Sequence, residues 1–81
     1  MMKILLVDDN AEITEMVSFY LQSNGAECKV ANTGRGGLEE IRRGKYDVVI
    51  LDLAIPEFSG FDVFNALKKE GLVESNNIVI F

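Results

Sequence analysis

The sequence predicts an α/β fold, a doubly wound parallel sheet with helices on both faces. Two observations carry this. Short apolar runs of strand length alternate with segments of helical periodicity, in the order strand, helix, three times over, then strand. Strands joined through helices run parallel, because each crossover returns the chain over the sheet with right-handed sense. With 81 residues, 48% apolar and 26% charged, the chain suits one globular domain whose margin of stability is thin.

Lys3 to Val7 reads as a buried strand. Ala11 to Ser23 carries Ile13, Met16, Val17, Tyr20 and Leu21 at spacings of three and four, a single apolar helix stripe, and Gly25 stops it. Glu27 to Ala31 alternates charged and apolar residues as a short strand. A second helix over Thr33 to Arg43 is capped by Thr33 and ends near Gly44, with Gly34, Gly36 and Gly37 weakening it. Val48 to Leu51 is a continuous apolar run, the pattern of a strand covered on both faces, and Pro56 and Gly60 mark the following loop. Phe61, Phe64 and Leu67 are expected to line the inner face of a third helix that Gly71 ends. Ile78 to Phe81 reads as a fourth buried strand, and four consecutive apolar residues at the end suggest a truncated chain.

Composition excludes several function classes. Thirteen acidic against eight basic residues give a net charge of -5, unfavourable for a nucleic-acid backbone or an anionic membrane. Arg35, Arg42, Arg43 and Lys45 read as a solvated helix face and its C-terminal turn. Ile4 to Val7 is too short for a signal peptide or a membrane span, so a cytoplasmic location is expected. The single Cys28 cannot form an internal disulfide and reads as a small core residue. The absence of histidine removes the usual zinc and nucleophile-base arrangements.

The chemistry lies in three carboxylates. Asp8 and Asp9 follow the first strand and Asp52 follows the third, so all three sit at carboxyl ends of strands, the edge of a parallel sheet where ligands bind. If those strands are neighbours, the carboxylates converge and repel, and a divalent cation relieves the repulsion. A few hard oxygen ligands favour magnesium over calcium. An aspartate beside such an ion can attack phosphorus and form an aspartyl phosphate. The competing structural reading is that Asp9 or Asn10 caps the first helix, with Glu12 completing a capping box after Asp9, and that Asp52 is a loop residue.

Asp8-Asp9, the run Asp52-Leu53-Ala54-Ile55-Pro56-Glu57-Phe58-Ser59-Gly60, and Thr33-Gly34 opening the second helix together resemble the receiver domains of two-component signalling. The resemblance covers the whole chain. It implies a flavodoxin-like sheet of strand order 2-1-3-4-5, of which residues 1–81 form the N-terminal portion, truncated after strand four and lacking the last strand and last two helices. It further implies that a histidine kinase or phosphotransfer protein phosphorylates Asp52. Asp9, Asp52 and the backbone carbonyl of Ala54 would bind Mg2+, Asp8 would assist through water, and Pro56 and Gly60 would shape the loop.

The chain departs from the family in detail and in extent. Ile55 stands where methionine is common, an apolar replacement, and with the small Ala54 near the site, water access and phosphate lifetime are expected to differ from those of relatives. The family's switch serine or threonine and its phosphate-binding lysine have no counterpart in this chain. Receivers catalyse their own phosphorylation and dephosphorylation rather than acting as enzymes on other substrates, and that activity is expected to be impaired here. The alternative function is a non-signalling assembly or ion-binding fragment with the receiver fold. A nucleotide or flavin site fits poorly, because the first turn presents carboxylates instead of glycine amides. An aspartate-based phosphatase would want a second aspartate where Ala54 stands. An open fourth strand at Ile78 to Phe81 points to a homodimer or exchanged-segment assembly.

Overall fold

A computed structural model describes residues 1–81. The elements are β1 (Lys3–Val7), α1 (Ala11–Ser23), β2 (Glu27–Ala31), α2 (Gly34–Arg43), β3 (Val48–Leu51), α3 (Gly60–Lys69) and β4 (Ile78–Ile80). They form one sheet in the order β2-β1-β3-β4, and every pairing is parallel. The chain leaves β1 for β2 on one side and later places β3 on the other. The carboxyl ends of β1 and β3 therefore flank the point where the connections diverge, as the doubly wound reading requires.

Alternation along β1 divides its side chains between the two faces. Leu5 and Val7, with Val49 and Leu51 from β3, join Leu38 and Ile41 of α2 and Val63 and Leu67 of α3 in one buried cluster. Each of the larger side chains buried there contributes roughly 1.5–3 kcal/mol. Ile4 and Leu6 point to the opposite face and are also buried. There α1 packs beside β2.

Each helix starts on a side-chain cap that satisfies an otherwise free backbone N–H. Asn10 accepts from Ile13 N–H at 3.1 Å, and Thr33 accepts from Gly36 N–H at 3.0 Å. Ser59 and Asp62 form a reciprocal capping box on α3. At its far end α2 stops on Gly44, whose φ of 66° lies in the left-handed region.

Several expectations are corrected by the tertiary packing. Met16 and Tyr20 do not join a buried stripe on α1 but are 64% and 66% exposed, while Thr14 is buried. The sheet-facing side is rotated toward Ile13, Thr14, Val17 and Leu21. On α3 the inner line is Val63 and Leu67, four residues apart, so Phe61 points outward at 62% exposure. Cys28 is only half-buried, and burial pushes its thiol pKa up. In the fourth strand only Ile78 packs against the core, half-buried, while within residues 1–81 Val79 and Ile80 are 52% and 42% exposed.

The glycines of α2 mark tight rather than loose packing. A Cβ on Gly37 would lie 2.7 Å from Cγ1 of Val7, so only glycine lets α2 settle on the end of β1. The basic residues behave as a solvated face. Arg42 holds Glu70 through both carboxylate oxygens, at 3.0 and 2.7 Å, and Arg43 pairs with Glu40 at 3.3 Å.

Candidate metal and phosphoacceptor site

Parallel pairing of β1 with β3 puts Val7 opposite Leu51, so the residues that follow each of them emerge side by side. The Asp52 N–H donates to the Val7 carbonyl at 3.0 Å, and the Asp8 N–H donates to the Ala31 carbonyl at 3.1 Å. Both aspartates are thus pinned by the ladder that builds the sheet. Asp8, Asp9 and Asp52 each place a carboxylate oxygen within 4.8 Å of the others. This is the convergence expected from the sequence.

The three carboxylates are held differently. Asp8 is buried at 3% exposure, and its Oδ1 accepts from Asn10 N–H at 2.9 Å. Oδ1 of Asp52 accepts from Ala54 N–H at 3.0 Å, which folds the start of the loop back over the carboxylate and leaves Oδ2 without a protein donor. Asp9 is exposed. Because Asn10 supplies the α1 cap, Asp9 is not spent on capping, which removes the structural explanation for that residue. The five ion pairs of the molecule lie elsewhere, and none reaches Asp8, Asp9 or Asp52.

Two loops wall the site. Pro56 follows the buried Ile55, and Gly60 packs so tightly on the Asp52 carbonyl that a side chain there would collide with it. Gly34 approaches the Phe58 carbonyl in the same way, and the Arg35 guanidinium lies 4.4 Å above the Phe58 ring. The β2–α2 and β3–α3 loops therefore brace each other, with a 310 Å³ cavity between them. Sequence reasoning missed this brace, although Gly34 and Phe58 were both legible. It also missed Asn32, whose side-chain amide donates to the Asp8 carbonyl at 3.4 Å.

The family model for the response regulator receiver domain matches residues 4–81. The chain belongs to this family. Among curated relatives, this receiver is 39% identical over 67 residues to the probable transcriptional regulatory protein TcrX of Mycobacterium tuberculosis, covering 83% of the chain and 29% of TcrX. Among solved structures, the response regulator TrrA of Thermotoga maritima, in complex with Mg(2+)-BeF, is 35% identical with a TM-score of 0.87, covering 99% of this chain and 68% of TrrA. The chemotaxis response regulator CheY4 of Vibrio cholerae is 34% identical with a TM-score of 0.88, covering 99% and 67%. The receiver spans less than a third of the curated relative it matches and about two thirds of these solved chains. Its flavodoxin-like architecture agrees with theirs, and no helix is long and apolar enough to cross a membrane.

Proposed function

We propose that this receiver is a phosphoacceptor module of a two-component phosphorelay, with Asp52 taking the phosphoryl group from a histidine kinase or phosphotransfer protein. The observation that carries the reading is the convergence of Asp8, Asp9 and Asp52 at the switch point of the sheet, with no basic side chain paired to any of them. Three hard carboxylate oxygens, with neither histidine nor cysteine among them, form a donor set that fits Mg2+. Asp9, Asp52 and the Ala54 backbone carbonyl would hold the ion, and Asp8 would act through water. The bound ion would screen the approach of an anionic carboxylate to an anionic phosphoryl group. TrrA, solved with Mg(2+)-BeF, supports the same assignment by similarity.

The residues of this chain then divide the work. Ala54 N–H fixes one oxygen of Asp52 and presents the other as nucleophile. That oxygen forms a bond to phosphorus as the donor's phosphorus–nitrogen bond breaks. The electron pair of the broken bond stays on the imidazole nitrogen. Pro56 and Gly60 shape the loop that closes over the site. The acidic balance of the chain makes nucleic acid an unfavourable partner for this domain.

Magnesium titration followed by amide NMR tests the ion, and intact mass after incubation with phosphoramidate tests the acceptor. The expected result is shifts confined to residues 8, 9 and 52–54 that Asp9→Ala abolishes, with a phosphoryl mass increment lost in Asp52→Asn. An increment that survives Asp52→Asn overturns the acceptor. Magnesium shifts without any labelling favour the ion-holding, non-signalling alternative.

A further inference from the structure

Glu57 is the one residue other than glycine with a positive φ, 67°, and it lies in the loop that follows Asp52. The left-handed region crowds a Cβ, and the residues that visit it readily are glycine, asparagine and aspartate. The Glu57 side chain is exposed and forms no ion pair, so nothing of its own holds that backbone. Its neighbours impose the conformation. Ile55 is buried, and the ring of Pro56 fixes its own φ. On the other side Ser59 caps α3 and Gly60 rests on the Asp52 carbonyl. The reversal between these anchors falls on Glu57, and Phe58 locks it. The Phe58 ring packs against the core cluster, the Arg35 guanidinium lies 4.4 Å from the ring centre, and the Phe58 carbonyl sits against Gly34, where a Cβ would collide. Arg35 forms no ion pair that competes with this stacking.

We infer that Phe58 is a positioning residue for the acidic site, acting through the left-handed backbone of Glu57. On the magnesium reading proposed above, this adds a residue outside the ligand set that tunes the affinity of the site. The Ala54 carbonyl offered to the ion, and the Ala54 N–H that donates to Asp52 Oδ1 at 3.0 Å, belong to the segment whose far end Glu57 closes. With Phe58 seated, the closed loop is the populated one. Without it, Glu57 relaxes to negative φ and the segment from Ala54 to Phe58 opens. Apparent affinity then falls by the fraction of chains in which the loop is closed. The left-handed region disfavours a residue with a Cβ by about tenfold in population, so losing the Phe58 contact weakens magnesium binding by about tenfold. Glycine populates both signs of φ about equally, so with glycine at position 57 the same loss is only about twofold. The contact also reaches the other strand end. Asn32, just before the Thr33 cap and Gly34, donates to the Asp8 carbonyl at 3.4 Å, so one brace serves both β1 and β3.

Magnesium titration followed by the Asp9 and Asp52 amide shifts gives a dissociation constant for Phe58→Ala, for Glu57→Gly and for the two together, with urea unfolding of each in metal-free solution. Phe58→Ala should raise the constant about tenfold and move the metal-free Ala54 amide. Glu57→Gly alone should leave both in place, and the pair should raise the constant about twofold. Glu57→Gln removes the charge but not the backbone penalty and should behave as glutamate does. Phe58→Tyr keeps the ring and should keep the affinity. Where Phe58→Ala does not fold, Phe58→Leu fills the space without offering the guanidinium a ring and should show the same dependence on residue 57. A Phe58 variant that loses stability yet binds magnesium as the unmodified chain does overturns the positioning role alone, because packing by itself behaves so. Equal losses with glutamate and glycine at position 57 overturn it too. An unmodified chain without magnesium shifts at Asp9 and Asp52 overturns the metal reading instead, and the metal-free Ala54 amide then still decides whether Phe58 holds the loop.

Discussion

Gly60 and Asp52 are in direct backbone contact: a Cβ on Gly60 would collide with the Asp52 carbonyl oxygen and the following Leu53 Cα. The first turn of α3 thus sits against the end of the strand that carries the acceptor, and the loop from Leu53 to Ser59 must close over a short distance. Gly60→Ala is expected to destabilise the fold by about 1–3 kcal/mol, the usual cost of forcing atoms into a packed site. It should also shift the Asp52 amide. Gly71, with φ 71° and nothing within 4 Å of an added Cβ, is the control. Gly71→Ala there pays only for the left-handed backbone, about 1 kcal/mol, and should leave the Asp52 amide in place. Urea unfolding with amide NMR on both variants checks this.

The corrected helix faces make opposite forecasts for residues of similar hydrophobicity. Leu67 is fully buried, so Leu67→Ala should cost about 2–5 kcal/mol. Phe61 and Met16 point outward, so Phe61→Gln and Met16→Gln should change stability by no more than about 0.5 kcal/mol. Unfolding midpoints that fall equally for all three would restore the stripe drawn from periodicity alone.

Labelling of Asp52 by a small phosphodonor is expected to be slow. In a polypeptide of residues 1–81 alone, none of the basic side chains that form ion pairs does so with Asp8, Asp9 or Asp52, and lack of one electrostatic donor to the charge building on the phosphoryl oxygens costs about 10²-fold or more in rate. Pseudo-first-order labelling by phosphoramidate, followed by mass against TrrA under identical conditions, measures the deficit. Equal rates would contradict the argument.

Stability should fall in acid through Glu70 as well as Glu40. The Arg42 guanidinium holds the Glu70 carboxyl below its ordinary value of 4.5, and the Tyr46 hydroxyl, with Lys29 and Arg43, does the same for Glu40. A carboxylate whose pKa is lower in the folded state contributes stability above its unfolded pKa and loses it as pH falls through the folded one. Glu70→Gln should therefore flatten the loss below about pH 4.5, and added salt should weaken the contribution. Thermal midpoints between neutral pH and strong acid, with and without salt, provide the measurement.

Tyr46 gives the complementary result in base. Burial and the 2.6 Å hydrogen bond it donates to Glu40 push its pKa up to about 12, from an ordinary 10.0. Its contribution is complete below pH 10 and declines as pH rises toward 12. Tyrosinate absorbance of the Tyr20→Phe variant isolates the titration, and a Tyr46 midpoint at 10.0 would show that the Glu40 contact is not maintained.

The order of elements, the helix caps at Thr33 and Gly44, and the placing of Asp8, Asp9 and Asp52 at strand ends were all written in the sequence. Each depends on local chemistry: apolar period, an oxygen that caps a helix, a carboxylate directly behind an apolar run. What the tertiary structure alone decided was non-local. Periodicity left the pairing of β1 with β3 open and only the family resemblance implied it; that pairing converts two separate strand ends into one acidic cluster, because only neighbouring parallel strands bring Val7 and Leu51 into register. Rotation of α1 and α3 against the sheet chose Thr14 over Met16 and Val63 over Phe61, since several faces of each helix were apolar enough to satisfy the periodicity. The use of Asn10 as cap, which frees Asp9, was likewise undecided between two adjacent residues until the backbone of the first turn fixed which side chain could reach Ile13 N–H.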